Sequence, residues 1–127
     1  MASTVIDSNK IKTLSRLIDR AGNVVITCHL SPDGDALGAS LAMAGIMSHL
    51  GKAVHVISPD QPPQSISFLP GAKDVVVFSR YEPFARNLLS KADLIFCLDY
   101  NELKRIDRVA PYVDAAEAPK VMIDHHL

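Results

Sequence analysis

The sequence is poor in the features that mark several large classes of protein. It contains no tryptophan and only two cysteines, and its 13 basic residues are balanced by 14 acidic ones, for a net charge of −1. This balance excludes the global basic field with which proteins recruit nucleic acid or an anionic membrane. The longest weakly polar run, residues 36–47, is too short to cross a bilayer. What remains is one soluble domain of 127 residues, long enough to bury a core.

The two cysteines and the N-terminus predict a cytoplasmic protein. Cys28 and Cys97 lie in the apolar runs VVITC and LIFCL, which are typical of buried strands, so both are predicted to be reduced core thiols. The first ten residues, MASTVIDSNK, lack the charged and then apolar order of a signal peptide.

Hydrophobic patterning predicts alternating strands and helices. The runs NVVITC, AVHVIS, DVVVFS, ADLIFCLD and KVMID predict strands. The segments NKIKTLSRLIDRAG, DALGASLAMAGIMSHLG, YEPFARNLLSK and ELKRIDRVAPYV predict helices, with Gly22 capping the first and Pro111 shortening the last. This alternation is typical of an α/β domain with an open, doubly wound parallel sheet and helices on both faces, in three α/β/α layers.

The second helix is rich in small residues, which predict that it lies very close to the surface on which it packs. These residues are Gly38, Ala39, Ala42 and Gly45.

Acidic and histidine residues follow three of the predicted strands. In doubly wound sheets the carboxyl ends of the strands form the ligand-binding edge. If the three strands are neighbours, four carboxylates and three imidazoles converge there, and so many acids need a cation to stay ionised together. The residues are His29, Asp33 and Asp35 after the first strand, Asp99 after the fourth, and Asp124, His125 and His126 after the last.

Mixed carboxylate and imidazole ligands favour divalent ions such as Mn²⁺, with Mg²⁺ as the alternative, and the lack of cysteine ligands argues against structural zinc. The set is larger than one ion needs, and two ions are the usual arrangement for phosphoester hydrolysis. Taken singly, each residue has an ordinary explanation: Pro32-Asp33-Gly34 is a common turn, and Asp35 or Asp99 could cap a helix. Their coincidence at three strand ends favours the metal site. His49 and His55, in a helix end and a strand, are interpreted as structural.

The motifs HLSPDGDALGAS and DHH, with Asp99 between them, resemble those of the DHH phosphoesterase superfamily, in particular the bacterial enzymes that degrade very short RNA and dephosphorylate 3′-phosphoadenosine 5′-phosphate. The resemblance implies that His29 and Asp33 bind the first ion, that Asp35 and His125 bind the second, and that Asp99 bridges both. It also implies that His126 faces the phosphate and that Asp124 orients a neighbouring histidine.

The resemblance further implies that residues 1–127 are the N-terminal part of a catalytic domain. Family members continue past DHH into a fourth motif and a C-terminal substrate-binding domain, which this sequence does not contain. The implied substrate is a short oligonucleotide or a nucleoside phosphate, with no membrane partner, and the resemblance is compatible with a homodimer of the full-length protein. A pyrophosphatase or exopolyphosphatase of the same superfamily and a non-catalytic metal-binding regulatory module remain as alternatives.

Overall fold

The computed structural model describes residues 8–28, 35–98 and 108–123. The described chain forms four α-helices and five β-strands, together with two short 3₁₀ turns in the segment between β2 and β3. In chain order they are α1 (Ser8–Arg20), β1 (Asn23–Cys28), α2 (Asp35–His49), β2 (Ala53–Ser58), β3 (Val76–Val77), α3 (Glu82–Lys91), β4 (Leu94–Leu98), α4 (Ala110–Ala115) and β5 (Lys120–Ile123).

The strands form one parallel sheet in the order β3-β2-β1-β4-β5. The chain therefore builds outward from β1 through β2 to β3, and then crosses back to place β4 on the other side of β1. This is the doubly wound arrangement predicted from the sequence, with its switch point between β1 and β4.

Two hydrophobic clusters lie on opposite faces of the sheet and complete three layers. Alternate residues of β1 point to opposite sides, since Val24 and Ile26 join the cluster under α1 and α2 whereas Val25 joins the cluster under α3 and α4. Cys28 and Cys97 are both buried, and they lie in different clusters on opposite faces of the sheet. This confirms the prediction that both cysteines belong to the core.

The first helix ends differently from the prediction. Gly22 does not adopt the left-handed conformation of a helix cap, because its φ lies outside the positive range. Instead its backbone N–H donates a hydrogen bond to the Asp93 carboxylate. By contrast, Gly51 has φ +86° after α2, and the bonds from Gly51 N–H to Ser48 C=O and from Lys52 N–H to Met47 C=O form a Schellman motif.

The prediction that small residues bring α2 close to the sheet is wrong. Ala39, Ala42 and Gly45 are exposed, and a Cβ atom added at Gly38 or Gly45 would meet nothing within 4 Å. The helix instead packs through larger side chains on its opposite face, among them the buried Leu37 and Met47. Gly38, Ala39, Ala42 and Gly45 therefore do not form the packing face of this helix.

Two further boundaries differ from the predicted elements. The strand predicted over 74–79 is only Val76–Val77, at the edge of the sheet. Pro111 does not shorten a helix but lies in the first turn of α4, where its missing N–H costs no helical hydrogen bond. The first part of that predicted helix, residues 102–107, lies outside the described residues.

Candidate functional site

The carboxyl ends of the five strands lie level across the sheet. In the paired register, Cys28 is opposite Leu98, and Leu98 is opposite Ile123. On the other side, the pairing of Thr27 with Ile57 sets Cys28 level with Ser58, which pairs with Val77. Neighbouring strands are about 5 Å apart, so β1, β4 and β5 present their last residues within about 10 Å of one another.

The candidate ligands follow these level ends directly in sequence. His29 comes after Cys28, Asp99 after Leu98, and Asp124 after Ile123. The structure thus confirms that the three strands are neighbours and that they end together. The positions of most of the candidate residues lie outside the described part of the chain: His29, Asp33, Asp99, Asp124, His125 and His126.

Asp35 is the first residue of α2, and the structure describes its backbone but not its side chain. The next two residues, Ala36 and Leu37, are buried in the cluster shared with β1 and β4. The Ser40 hydroxyl donates a 2.8 Å hydrogen bond to the Ala36 carbonyl, so this buried polar group is satisfied. The beginning of α2 is therefore anchored beside the same cluster that contains Cys28 and Leu98.

Among the described residues, no group of three histidine, cysteine or acidic side chains comes together. The candidate metal site consequently rests on the strand ends and on the sequence that follows them. The chemistry of that sequence fits divalent cations, because four carboxylates and three imidazoles are oxygen and nitrogen donors without thiolates.

The segments after β2 and β3 are joined at the same edge by interactions that the sequence did not reveal. Phe78 N–H donates to Ser58 C=O at 2.8 Å, and Ser79 N–H donates to Pro59 C=O at 3.1 Å. One residue further on, the Arg80 guanidinium donates to the Gln61 side-chain carbonyl at 3.3 Å. The signal available in the sequence was weak, since a lone arginine before a helix resembles any solvated turn.

The opposite, amino edge of the sheet is held by Asp93. Its carboxylate accepts 2.9 Å hydrogen bonds from the backbone N–H groups of Gly22 and Asn23. The hydrogen bond from Asn23, followed by that from Gly22, holds the pKa of Asp93 below its usual range. This carboxylate lies at the end of the strands away from the candidate ligands, so its role is structural.

No helix in the described ranges has the length and apolar character needed to span a bilayer.

Comparison with known proteins identifies a family and several relatives. Residues 23–127 match the model of the DHH family, N-terminal domain. The chain is 31% identical over 105 residues to the bifunctional oligoribonuclease and PAP phosphatase NrnA of Thermus thermophilus, a match that covers 83% of this chain and 28% of that protein.

The second relative is a solved structure, an exopolyphosphatase-related protein from Bacteroides fragilis. It superimposes with a TM-score of 0.93 at 42% identity, over 99% of this chain and 37% of that one. The chain therefore spans about a third of the length of each relative.

Proposed function

Because the chain belongs to the DHH family, we propose that it supplies the metal-binding part of a cytoplasmic phosphoesterase that hydrolyses short oligonucleotides and 3′-phosphoadenosine 5′-phosphate. The observation that supports this proposal is that β1, β4 and β5 end side by side. Their last residues, Cys28, Leu98 and Ile123, are paired across the sheet. Each of these residues is followed at once in sequence by a histidine or an aspartate. The NrnA relative, whose name states both activities, supports the choice of substrates.

Two Mn²⁺ ions fit the donor set, because Mn²⁺ accepts carboxylate and imidazole ligands. Mg²⁺ is the alternative through the carboxylates, since it prefers oxygen ligands. By resemblance to the family, His29 and Asp33 would hold one ion, Asp35 and His125 would hold the other, and Asp99 would contribute to both. When bound, such ions would lower the pKa of a water molecule, so that hydroxide is available near neutral pH, and would neutralise the phosphate oxygens.

The remaining two candidate residues, His126 and Asp124, are proposed to stabilise charge on the phosphate and to orient a histidine. His126 is proposed to donate a hydrogen bond to the phosphate, where negative charge increases during attack. Asp124 is proposed to accept a hydrogen bond from a neighbouring histidine and thereby to fix which of its nitrogen atoms is free to bind. Both follow Ile123 of β5, whose pairing with Leu98 brings this strand to the same edge.

The chain matches only about a third of the length of each relative, and this supports a proposal about its domain organisation. We propose that residues 1–127 are the N-terminal part of a larger catalytic unit, with the fourth motif and the substrate-binding domain of the family encoded outside them. This accounts for the near-neutral charge of the chain, because the basic groups that grip a polyanion would belong to the other part.

A second candidate function is exopolyphosphatase or pyrophosphatase activity. It is favoured by one observation, the 0.93 TM-score and 42% identity to the exopolyphosphatase-related protein. Both functions use the same edge of the sheet, so they differ in the substrate and not in the chemistry of attack.

The test uses the longest natural chain that contains residues 1–127, as the wild type and as Asp99→Ala, with Asp114→Ala on α4 as the matched control. Mn²⁺ binding is measured by calorimetry, and hydrolysis is measured on a dinucleotide, on 3′-phosphoadenosine 5′-phosphate, on pyrophosphate and on polyphosphate. We expect two bound ions, cleavage of the first two substrates and loss of both properties in Asp99→Ala alone. Cleavage of only the inorganic substrates would select the second candidate. A wild type that binds no second ion and cleaves nothing would indicate a non-catalytic module.

A further inference from the structure

The loops after β2 and β3 form a hydrogen-bonded pair at the carboxyl edge of the sheet. Successive contacts join Ser58 to Phe78 at 2.8 Å, Pro59 to Ser79 at 3.1 Å and Gln61 to Arg80 at 3.3 Å. The turn that carries Arg80 is closed by its own backbone N–H, which donates to Val77 C=O at 3.1 Å. The guanidinium is therefore presented from a fixed turn, three residues past the end of β3.

Most basic residues near the described strand ends lie at the opposite edge. Arg20 and Lys91 are in the last turns of α1 and α3, which lead into the beginnings of β1 and β4, and Lys120 begins β5. Arg80 lies three residues past the end of β3, and Arg108 lies in the segment between β4 and α4. Arg108 precedes α4, on the side of the sheet edge where β4 ends.

In the part of the chain that the structure describes, Arg80 is not paired with a carboxylate. The ion pair found among the described side chains is the one between Arg86 and Glu82. Gln61 is neutral and accepts from a single guanidinium nitrogen atom, Nη1. A guanidinium has five N–H donors in a planar fork that matches phosphate oxygens, so most of its donors remain for a ligand.

The position of Arg80 defines which part of a substrate it reaches. Val77, Ser58 and Cys28 are level on β3, β2 and β1, so the end of β3 lies two strand spacings, about 10 Å, from the strand that leads into His29. A group held there is displaced along the sheet edge from the reacting phosphate. A second phosphate on the same nucleoside is negatively charged and is displaced from the reacting phosphate, so it fits a position beside Arg80.

We propose that Arg80, held by Gln61, binds the non-reacting phosphate of the substrate and so favours nucleotides that carry two phosphates. This inference rests on the proposed phosphoesterase function. It assigns a specificity residue to the β2–β3 side of the edge.

The test compares two substrates that share the reacting 3′-phosphate, namely 3′-phosphoadenosine 5′-phosphate and adenosine 3′-phosphate, in the longest natural chain. For Arg80→Ala we expect KM for the bisphosphate to rise at least about tenfold, the effect of one lost charged hydrogen bond, while kcat changes less than about twofold. KM for adenosine 3′-phosphate should stay unchanged. Arg80→Lys should recover part of the affinity, because the charge remains but the planar fork is lost.

Two other variants sharpen the test. Gln61→Glu places a carboxylate beside the unchanged Arg80, so it should also raise KM for the bisphosphate selectively. Arg20→Ala, an exposed arginine at the amino edge, should leave both substrates unaffected.

The outcomes separate the two proposals. Equal changes in KM for both substrates, or no change in Arg80→Ala, would overturn the role of Arg80 while leaving the phosphoesterase function intact. A selective effect in Arg108→Ala instead would place the second phosphate on the β4–β5 side and would equally overturn it. A wild type that hydrolyses neither substrate would overturn the function itself.

Discussion

Asp93 is bonded to Gly22, 71 residues earlier in the chain, through a 2.9 Å hydrogen bond from the glycine N–H to the carboxylate Oδ2 atom. A second bond from the adjacent N–H of Asn23 ends on the same oxygen atom. In return, the N–H of Asp93 donates to the Asn23 carbonyl at 2.8 Å. These bonds tie the entrance of β4 to the entrance of β1, the two strands between which the candidate ligands are expected.

We predict that Asp93→Asn lowers the melting temperature at neutral pH and that the difference from the wild type narrows in acid. The lowered pKa means that the folded state favours the ionised carboxylate. Its contribution is present above the ordinary aspartate pKa of about 3.9 and is lost as the pH falls through the lower folded-state pKa. Thermal unfolding from about pH 7 to about pH 2 measures the effect. Asp114→Asn, an exposed carboxylate on α4, should show no such pH-dependent difference.

Gly45 and Gly51 should respond in opposite ways to substitution by alanine. Gly45 lies inside the helix and faces open space, so Gly45→Ala is expected to stabilise the protein by about 0.5–1 kcal/mol. Gly51 has φ +86°, so Gly51→Ala is expected to destabilise it by roughly 1–2 kcal/mol. Urea unfolding curves of the two variants measure both values. A loss of stability in Gly45→Ala would mean that the outer face of α2 is covered.

The Arg86 guanidinium lies over the Tyr112 ring, 4.5 Å from its centroid, and joins α3 to α4. A double-mutant cycle with Arg86→Ala and Tyr112→Leu should give a coupling free energy of about 0.5–1 kcal/mol. The Arg86 Nη1 atom also lies 3.6 Å from the Glu82 Oε2 atom, in an exposed ion pair. The control variant Glu82→Ala should therefore cost less than about 0.5 kcal/mol. Additive effects of the two main substitutions would show that the stack contributes nothing.

The proposed metal ions should stabilise the folded protein. At a free Mn²⁺ concentration about 100 times the dissociation constant, the free energy of unfolding should rise by about 2.7 kcal/mol per site. Asp99→Asn should lose most of this gain, whereas Asp114→Asn should keep it. Melting curves of the longest natural chain with Mn²⁺ and with a chelator measure the difference. An equal response in both variants would contradict the assignment of Asp99.

Much of the fold could be predicted from local patterns. The buried runs NVVITC and LIFCL correspond to β1 and β4, because continuous apolar segments are typical of strands covered on both faces. The predictions for Pro111 and Gly22 were wrong. Pro111 was expected to shorten a helix but lies in the first turn of α4. Gly22 was expected to cap α1, but its N–H donates a hydrogen bond to Asp93.

The sequence by itself determined the alternation of strands and helices, the α/β class, and the positions of the histidines and aspartates directly after three strands. These are local properties, fixed by periodicity and by chain connectivity. Only the tertiary structure decided the strand order, the level ends of Cys28 and Leu98, and the pairing of Gln61 with Arg80. Those features depend on contacts between residues that are 19 to 70 positions apart, from Gln61 and Arg80 to Cys28 and Leu98. No local pattern specifies such contacts, because they form only when the packed sheet brings the segments together.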